Sequence, residues 1–94
     1  MPDQSAKKQP QPRGFVIDII YNGVTKPLRI KPSDSMQAVL QAAIELFPVT
    51  EQRHLLALFD ASGNEITNES QTAKQAGLKK GSRLVLRQSV VKGG

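Results

Sequence analysis

The chain has 94 residues, 38% of them hydrophobic, with a formal net charge of +5 and no cysteine or tryptophan. This length allows one small domain, and the lack of cysteine excludes disulfide bonds, thiolate catalysis and Cys-ligated zinc. No segment approaches the ~20 consecutive apolar residues of a membrane-spanning helix, and the N-terminal residues lack the apolar core of a secretory signal, so we expect a cytoplasmic protein.

The first 13 residues differ in composition from the rest of the chain. They hold three prolines, three glutamines and no large apolar residue except Met1. Such a segment buries too little apolar surface to offset the entropy lost on ordering. We therefore predict a disordered tail over residues 1–13.

A β-hairpin is predicted next. The stretch FVIDIIY, residues 15–21, alternates its apolar side chains and indicates a strand with one buried face. Asn22-Gly23 suits the positive φ angles of a type I′ turn, and VTKPLRIK then supplies the second strand. Because Pro27 cannot donate a ladder hydrogen bond, this strand is expected at a sheet edge.

The remaining pattern predicts one helix and further strands. From Met36 to Phe47 apolar residues recur every three or four positions, with Ser33 or Ser35 as the cap and Pro48 as the stop. HLLALFD and the short EIT predict strands three and four, NESQTAKQAG a loop or single helical turn, and SRLVLRQSVV the last strand. This order indicates an α+β domain in which a mixed sheet of four to five strands packs on one helix.

Three stretches resemble the ubiquitin-like proteins: LRIKPSDSMQAV entering the helix, GLKKGSRLVLR entering the last strand, and the final Gly93-Gly94. The resemblance covers about residues 15–94 and implies a β-grasp fold divergent from ubiquitin. It gives a ubiquitin-like domain over residues 14–88 and a flexible C-terminal tail over residues 89–94. Bacterial ubiquitin-like modifiers, encoded beside their own enzymes, are one group that such a chain is similar to.

The resemblance implies a protein modifier rather than an enzyme, with no cofactor and no metal. An activating enzyme would adenylate the Gly94 carboxylate and hold it as a thioester, a conjugating enzyme would transfer it to a target amine, and a deconjugating peptidase would release it. Gly93 and Gly94 lack side chains that would block a narrow active-site channel, and Gln88 to Gly94 reach at most about 25 Å when extended.

Two alternatives to the modifier remain open. One is a sulfur-carrier protein with a C-terminal thiocarboxylate, and the other is an unconjugated ubiquitin-like interaction domain. A disordered N-terminal arm, which adds reach for partners, favours the modifier over the sulfur carrier.

The resemblance also suggests surface sites. The family's apolar recognition patch maps to Leu55 or Ala57 of the third strand and to Val85 and Arg87 of the last. Because Arg87 stands where the family pattern has an aliphatic residue, we expect receptors of ubiquitin to bind this chain poorly. Lys80 resembles a chain-linkage lysine by its position.

Other residues are given ordinary structural roles. His54 has no partner that would complete a catalytic triad or a metal site, so we interpret it as a strand-edge residue. Val16 and Ile20 face away from the helix and are interpreted as common surface aliphatic residues. The basic residues are scattered and not interleaved with aromatic residues, which argues against a nucleic-acid-binding surface.

Overall fold

The computed structural model describes residues 14–49 and 52–92, which form one mixed sheet covered on one face by one helix. The elements are strands β1 Phe15–Tyr21 and β2 Val24–Ile30, helix α1 Met36–Glu45, a 3-10 turn Arg53–Leu55, and strands β3 Leu56–Phe59 and β4 Arg83–Gln88. The strand order is β2-β1-β4-β3, with β1 and β4 parallel and the outer pairs antiparallel. The α+β fold is confirmed, with four strands. The predicted tail, residues 1–13, lies outside the described residues.

The hairpin forms as its sequence predicts. Asn22 and Gly23 both have positive φ angles, 53° and 81°, which is the type I′ geometry that matches the twist of the flanking strands. In the sheet, β2 pairs only with β1, so Pro27 lies on an edge strand. The hairpin therefore sets the register in which Ile17 faces Leu28.

The core lies between α1 and the inner face of the sheet. Ser35 caps the helix, because its Oγ accepts a hydrogen bond from the Ala38 N–H at 3.1 Å. Every apolar residue predicted for the helical face is buried, including Phe47 just beyond the helix end. On the sheet side the deepest residues are Ile17, Ile19, Leu84 and Leu86. Truncation of such a side chain to alanine typically costs about 2–5 kcal/mol.

Three predicted elements differ from the structure. The third strand begins at Leu56, because Arg53–Leu55 form the 3-10 turn, so His54 is an exposed turn residue and not a strand-edge residue. The predicted strand EIT is reduced to one bridge between Glu65 and Phe59. The last strand ends at Gln88, because the chain turns at Ser89.

The C-terminal end of α1 is closed by a side chain from β2. The Lys26 ammonium donates a hydrogen bond to the Leu46 carbonyl at 3.0 Å and lies 5.2 Å from the centre of the Phe47 ring. Carbonyl groups at a helix end lack partners within the helix, and a cation there also complements the helix dipole. Lys26 thus connects the edge strand to the helix.

We predict that Lys26→Met lowers the free energy of unfolding by about 1 kcal/mol, because the Leu46 carbonyl loses a charged donor while the apolar part of the side chain is kept. Chemical denaturation of the full chain measures this. The control is Lys31→Met, which removes the same charge from an exposed side chain that bonds no described residue. Equal losses in the two variants would show that Lys26 acts only through the net charge.

Candidate functional site

The sheet face opposite α1, called here the outer sheet face, is at least partly exposed along β1, β2 and β4, whereas its β3 residues Ala57 and Phe59 are buried. The pairing register places on it alternate residues of all four strands: Val16, Asp18 and Ile20; Thr25, Pro27 and Arg29; Arg83, Val85 and Arg87; Ala57 and Phe59. One helix covers only one side of a sheet, so this face is available for binding.

The centre of the outer sheet face is aliphatic. Ile20 of β1 lies beside Val85 of β4 in the parallel register, and both are half-buried, as is Val16. These side chains partly shield one another but remain accessible to a partner. Val16 and Ile20, expected to be isolated surface residues, therefore extend the patch predicted at Val85.

Arginines surround this aliphatic centre. Arg29, Arg83 and Arg87 are exposed, and the only acidic residue of the face in the described chain is Asp18. Arg83 Nε lies 3.9 Å from Asp18 Oδ2, with the two side chains 67% and 37% exposed. An exposed pair at that distance contributes little stability. The face therefore carries a net positive charge next to apolar surface.

The predicted recognition patch is only partly accessible. Ala57 lies on the outer sheet face opposite Arg87, but it is fully buried, and Leu55 precedes β3 in the 3-10 turn and is half-buried. The Arg87 guanidinium lies 4.4 Å from the centre of the Phe59 ring, within the range of a cation–π contact. Of the predicted patch residues, Val85 and Arg87 thus remain as accessible contacts on the outer sheet face.

The chain after β4 is held against the domain. Ser89 is buried, and its Oγ donates to Glu65 Oε2 at 2.5 Å while accepting the Val91 and Lys92 N–H groups at 2.9 and 2.8 Å. Glu65 Oε1 also accepts the Val90 N–H at 2.9 Å. We call Glu65 and residues 89–92 the C-terminal clasp. Its hydrogen bonds stop β4 from continuing.

Lys92 makes the last described contacts of the clasp. Its Nζ lies 2.6 Å from Glu69 Oε2 and 3.0 Å from the Leu56 carbonyl oxygen. Residues 89–92 of the predicted flexible tail 89–94 are therefore hydrogen-bonded to the domain. Gly93 and Gly94 lie outside the described residues, so their flexibility stays a prediction. Sequence reasoning missed the clasp because Glu65 and Ser89 are 24 residues apart and form no local motif.

The other predicted site residue, Lys80, is exposed in the turn before β4. Lys80 and the outer-face residues Val85 and Arg87 therefore belong to different parts of the surface. Within the described ranges, His, Asp and Glu side chains form no group of three that could hold a metal ion. None of the described helices has the length and apolar character needed to cross a membrane.

Comparison with known proteins agrees with this fold. Residues 19–86 match the family model of the TUG ubiquitin-like domain. No curated protein matches the chain. Many solved structures do match it.

The ubiquitin-like domain of the Arabidopsis thaliana protein At2g32350 superposes with a TM-score of 0.71 at 8% identity, over 95% of this chain and 92% of that one. A designed protein based on ubiquitin gives 0.71 at 20% identity, over 89% and 99%. ATBAG1, solved in complex with HSP70, gives 0.68 at 16% identity, over 84% of this chain but 42% of that one. At these identities the likeness concerns the fold.

For the clasp, we predict that Ser89→Ala raises the hydrogen-exchange rates of the Val91 and Lys92 amides by about tenfold, because each N–H loses its acceptor. Exchange is followed by NMR on the full chain. Ser70→Ala is the control, since Ser70 is an exposed serine whose hydroxyl makes no hydrogen bond to a described residue. Unchanged rates in Ser89→Ala would mean that the clasp does not order these residues.

Proposed function

Because the chain belongs to the family of the TUG ubiquitin-like domain, we propose that it is an unconjugated protein-interaction domain that binds a partner through the outer sheet face. This was the last of the alternatives left open by the sequence. The family match and the ubiquitin-like neighbours support it better than they support a modifier. The role assigned to the chain is binding and not catalysis.

The observation that carries the proposal is the mixed character of the outer sheet face. Ile20 and Val85 offer adjacent apolar surface, and Arg83 and Arg87 stand on the same strand as Val85. Protein interfaces often combine an apolar centre with arginine residues. The planar guanidinium forms bidentate hydrogen bonds with carboxylates and also packs on apolar surface. The partner that fits presents an apolar ridge flanked by carboxylates.

Arg87 separates this face from that of ubiquitin. An aliphatic residue in its place would extend the apolar patch, whereas the guanidinium over Phe59 covers the ring and adds a charge. A receptor selected for a purely apolar patch would have to desolvate that charge without pairing it. Poor binding to receptors of ubiquitin therefore stays a prediction.

The conjugated modifier remains the second candidate, favoured by the Gly93-Gly94 pair. Against it, the clasp holds residues 89–92, and the two residues after Lys92 can span only about 7 Å. To reach a buried active site, Gly94 would need the clasp to open first. The activating, conjugating and deconjugating enzymes, the sulfur-carrier role and the bacterial system likewise stay predictions.

The binding face is tested with Val85→Arg, which adds a long charged side chain at the centre of the outer sheet face. HSP70 is the first protein to test, because the structural neighbour ATBAG1 was solved in complex with it. The next candidates are proteins that are captured on the full chain and then purified. We expect Val85→Arg to bind a partner of the parent chain at least about tenfold more weakly, since an unpaired charge would have to be buried in the interface. Isothermal titration calorimetry measures the affinity.

Thr67→Arg is the matched control, because it adds the same side chain at an exposed position away from the four strands. NMR shift mapping with the same partner should move the amides of Ile20, Val85 and their neighbours. A partner that binds both variants equally, with shifts outside the outer sheet face, would contradict the proposed face.

Deletion of Gly94 separates the two candidate functions. An interaction domain should bind its partner with unchanged affinity after this deletion, whereas a modifier should lose covalent adducts. Denaturing gels and intact-mass spectra of the tagged full chain, expressed in the cells that produce it, detect such adducts. Adducts that are present in the parent chain and absent in the deletion variant would establish conjugation, and replacement of oxygen by sulfur in the intact mass would establish the sulfur carrier.

A further inference from the structure

A second surface lies at the end of the domain where β1 begins, on the other side of the sheet from Val16. It is a groove of about 670 Å³. Its floor is formed by Phe15, Pro32 and Leu78, and its rim by Lys74, Lys79 and Lys80. We call it the lysine groove. Phe15 and Leu78 are partly buried against the core, so the floor is held in place by the packing that stabilises the fold.

The rim is positively charged without local compensation. Lys74, Lys79 and Lys80 are exposed, and their ammonium groups form no ion pair with any residue in the described part of the chain. Asp34, the acidic residue nearest in sequence to the floor, accepts the Lys31 N–H at 2.8 Å and does not line the groove. Three positively charged side chains next to an apolar floor attract ligands that are negatively charged and partly apolar.

The polar backbone of the groove wall is already engaged. The Lys74 N–H donates to the Pro32 carbonyl at 3.0 Å, and the Lys79 N–H donates to Ser82 Oγ at 3.0 Å. Thr72 and Gln75 bond each other in both directions, each backbone N–H to the other's side-chain oxygen. The wall therefore offers apolar contact and flexible ammonium groups, and few fixed donors that would orient a small ligand.

The N-terminal segment of the chain is poorly suited to this groove on chemical grounds. Residues 1–13 carry Lys7, Lys8 and Arg13 against the single acidic residue Asp3, and Met1 is their only large apolar side chain. A basic, polar segment would meet like charge at the rim and leave the floor uncovered. A second copy of this chain, itself basic with a net charge of +5, is also disfavoured at long range.

We propose that the lysine groove binds an acidic peptide segment of another protein, with one or two apolar side chains on the floor and flanking carboxylates paired with Lys74, Lys79 and Lys80. The site is separate from the outer sheet face and does not rest on the function proposed for that face. It gives the domain two independent contacts, both of which select acidic partners.

The proposal is tested on the full chain with a fluorescein-labelled peptide in which a leucine and a phenylalanine are flanked by glutamates. Fluorescence anisotropy measures the affinity of the parent and of the variant Lys74→Glu, Lys79→Glu, Lys80→Glu. We expect at least about tenfold weaker binding by the variant, because attraction at three contacts becomes repulsion. The matched control Lys7→Glu, Lys8→Glu, Arg53→Glu has the same net charge, changes no residue of the outer sheet face, and should bind within about threefold of the parent.

A second peptide, with both apolar residues replaced by serine, tests the floor without altering the domain. It should bind at least about fivefold more weakly, because apolar contacts with Phe15 and Leu78 are lost while the charge is kept. NMR shifts induced by the first peptide should centre on residues 72–80. Val85→Arg should leave the affinity unchanged, which separates this site from the outer sheet face.

Three results would overturn the proposal. Equal weakening by the two triple variants would reduce the effect to net charge, and equal binding of the two peptides would remove any role for the floor. Shifts at residues 72–80 that depend on protein concentration, together with self-association in sedimentation, would instead make the lysine groove a contact between copies of this chain.

Discussion

The structure depends on the burial of the inner sheet face under a single helix. Ile17 and Ile19 of β1 lie beside Leu84 and Leu86 of β4 at the centre of the sheet, and α1 is the element that covers them. The parallel strands β1 and β4 need a long connection, and residues 22–82 supply it, passing through β2, the helix and β3. Because one helix covers only one face, the other face of β1, β2 and β4 stays accessible.

Much of this arrangement could be predicted from local sequence pattern. The Asn22-Gly23 turn, the Ser35 cap and the helical spacing up to Phe47 each express a short-range rule, and each is found where it is expected. Such features follow from the backbone preferences of a few neighbouring residues. They were enough to give the order of elements and hence the fold class.

The features that could not be predicted depend on residues far apart in the chain. Leu55 looks like part of a continuous apolar run that starts at His54, but the 3-10 turn includes both residues and β3 begins at Leu56. The run ending in Val90 and Val91 looks like strand, but Ser89 and Glu65 bend it away. Ala57 has the right alternation for a surface contact and is nonetheless buried. The alternation of side chains along a strand predicts which face of the sheet a residue lies on, but it does not predict whether other residues cover that face.

The assignment of function shows the same limit. Gly93-Gly94 and the ubiquitin-like stretches favour conjugation to a target protein. The family to which the chain belongs and the charged outer sheet face favour non-covalent binding of a partner protein. A short terminal motif reports what chemistry is possible. The side chains around Val85 report which partners the surface can hold.

The ion pair and hydrogen bond of Lys92 have a further consequence for tethering. Lys92 is tied to Glu69 and to the carbonyl of Leu56, so a domain or label joined after it would depart from a fixed point beside β3. With a short linker, its orientation relative to the sheet would be restricted to a narrow cone rather than averaged over all directions.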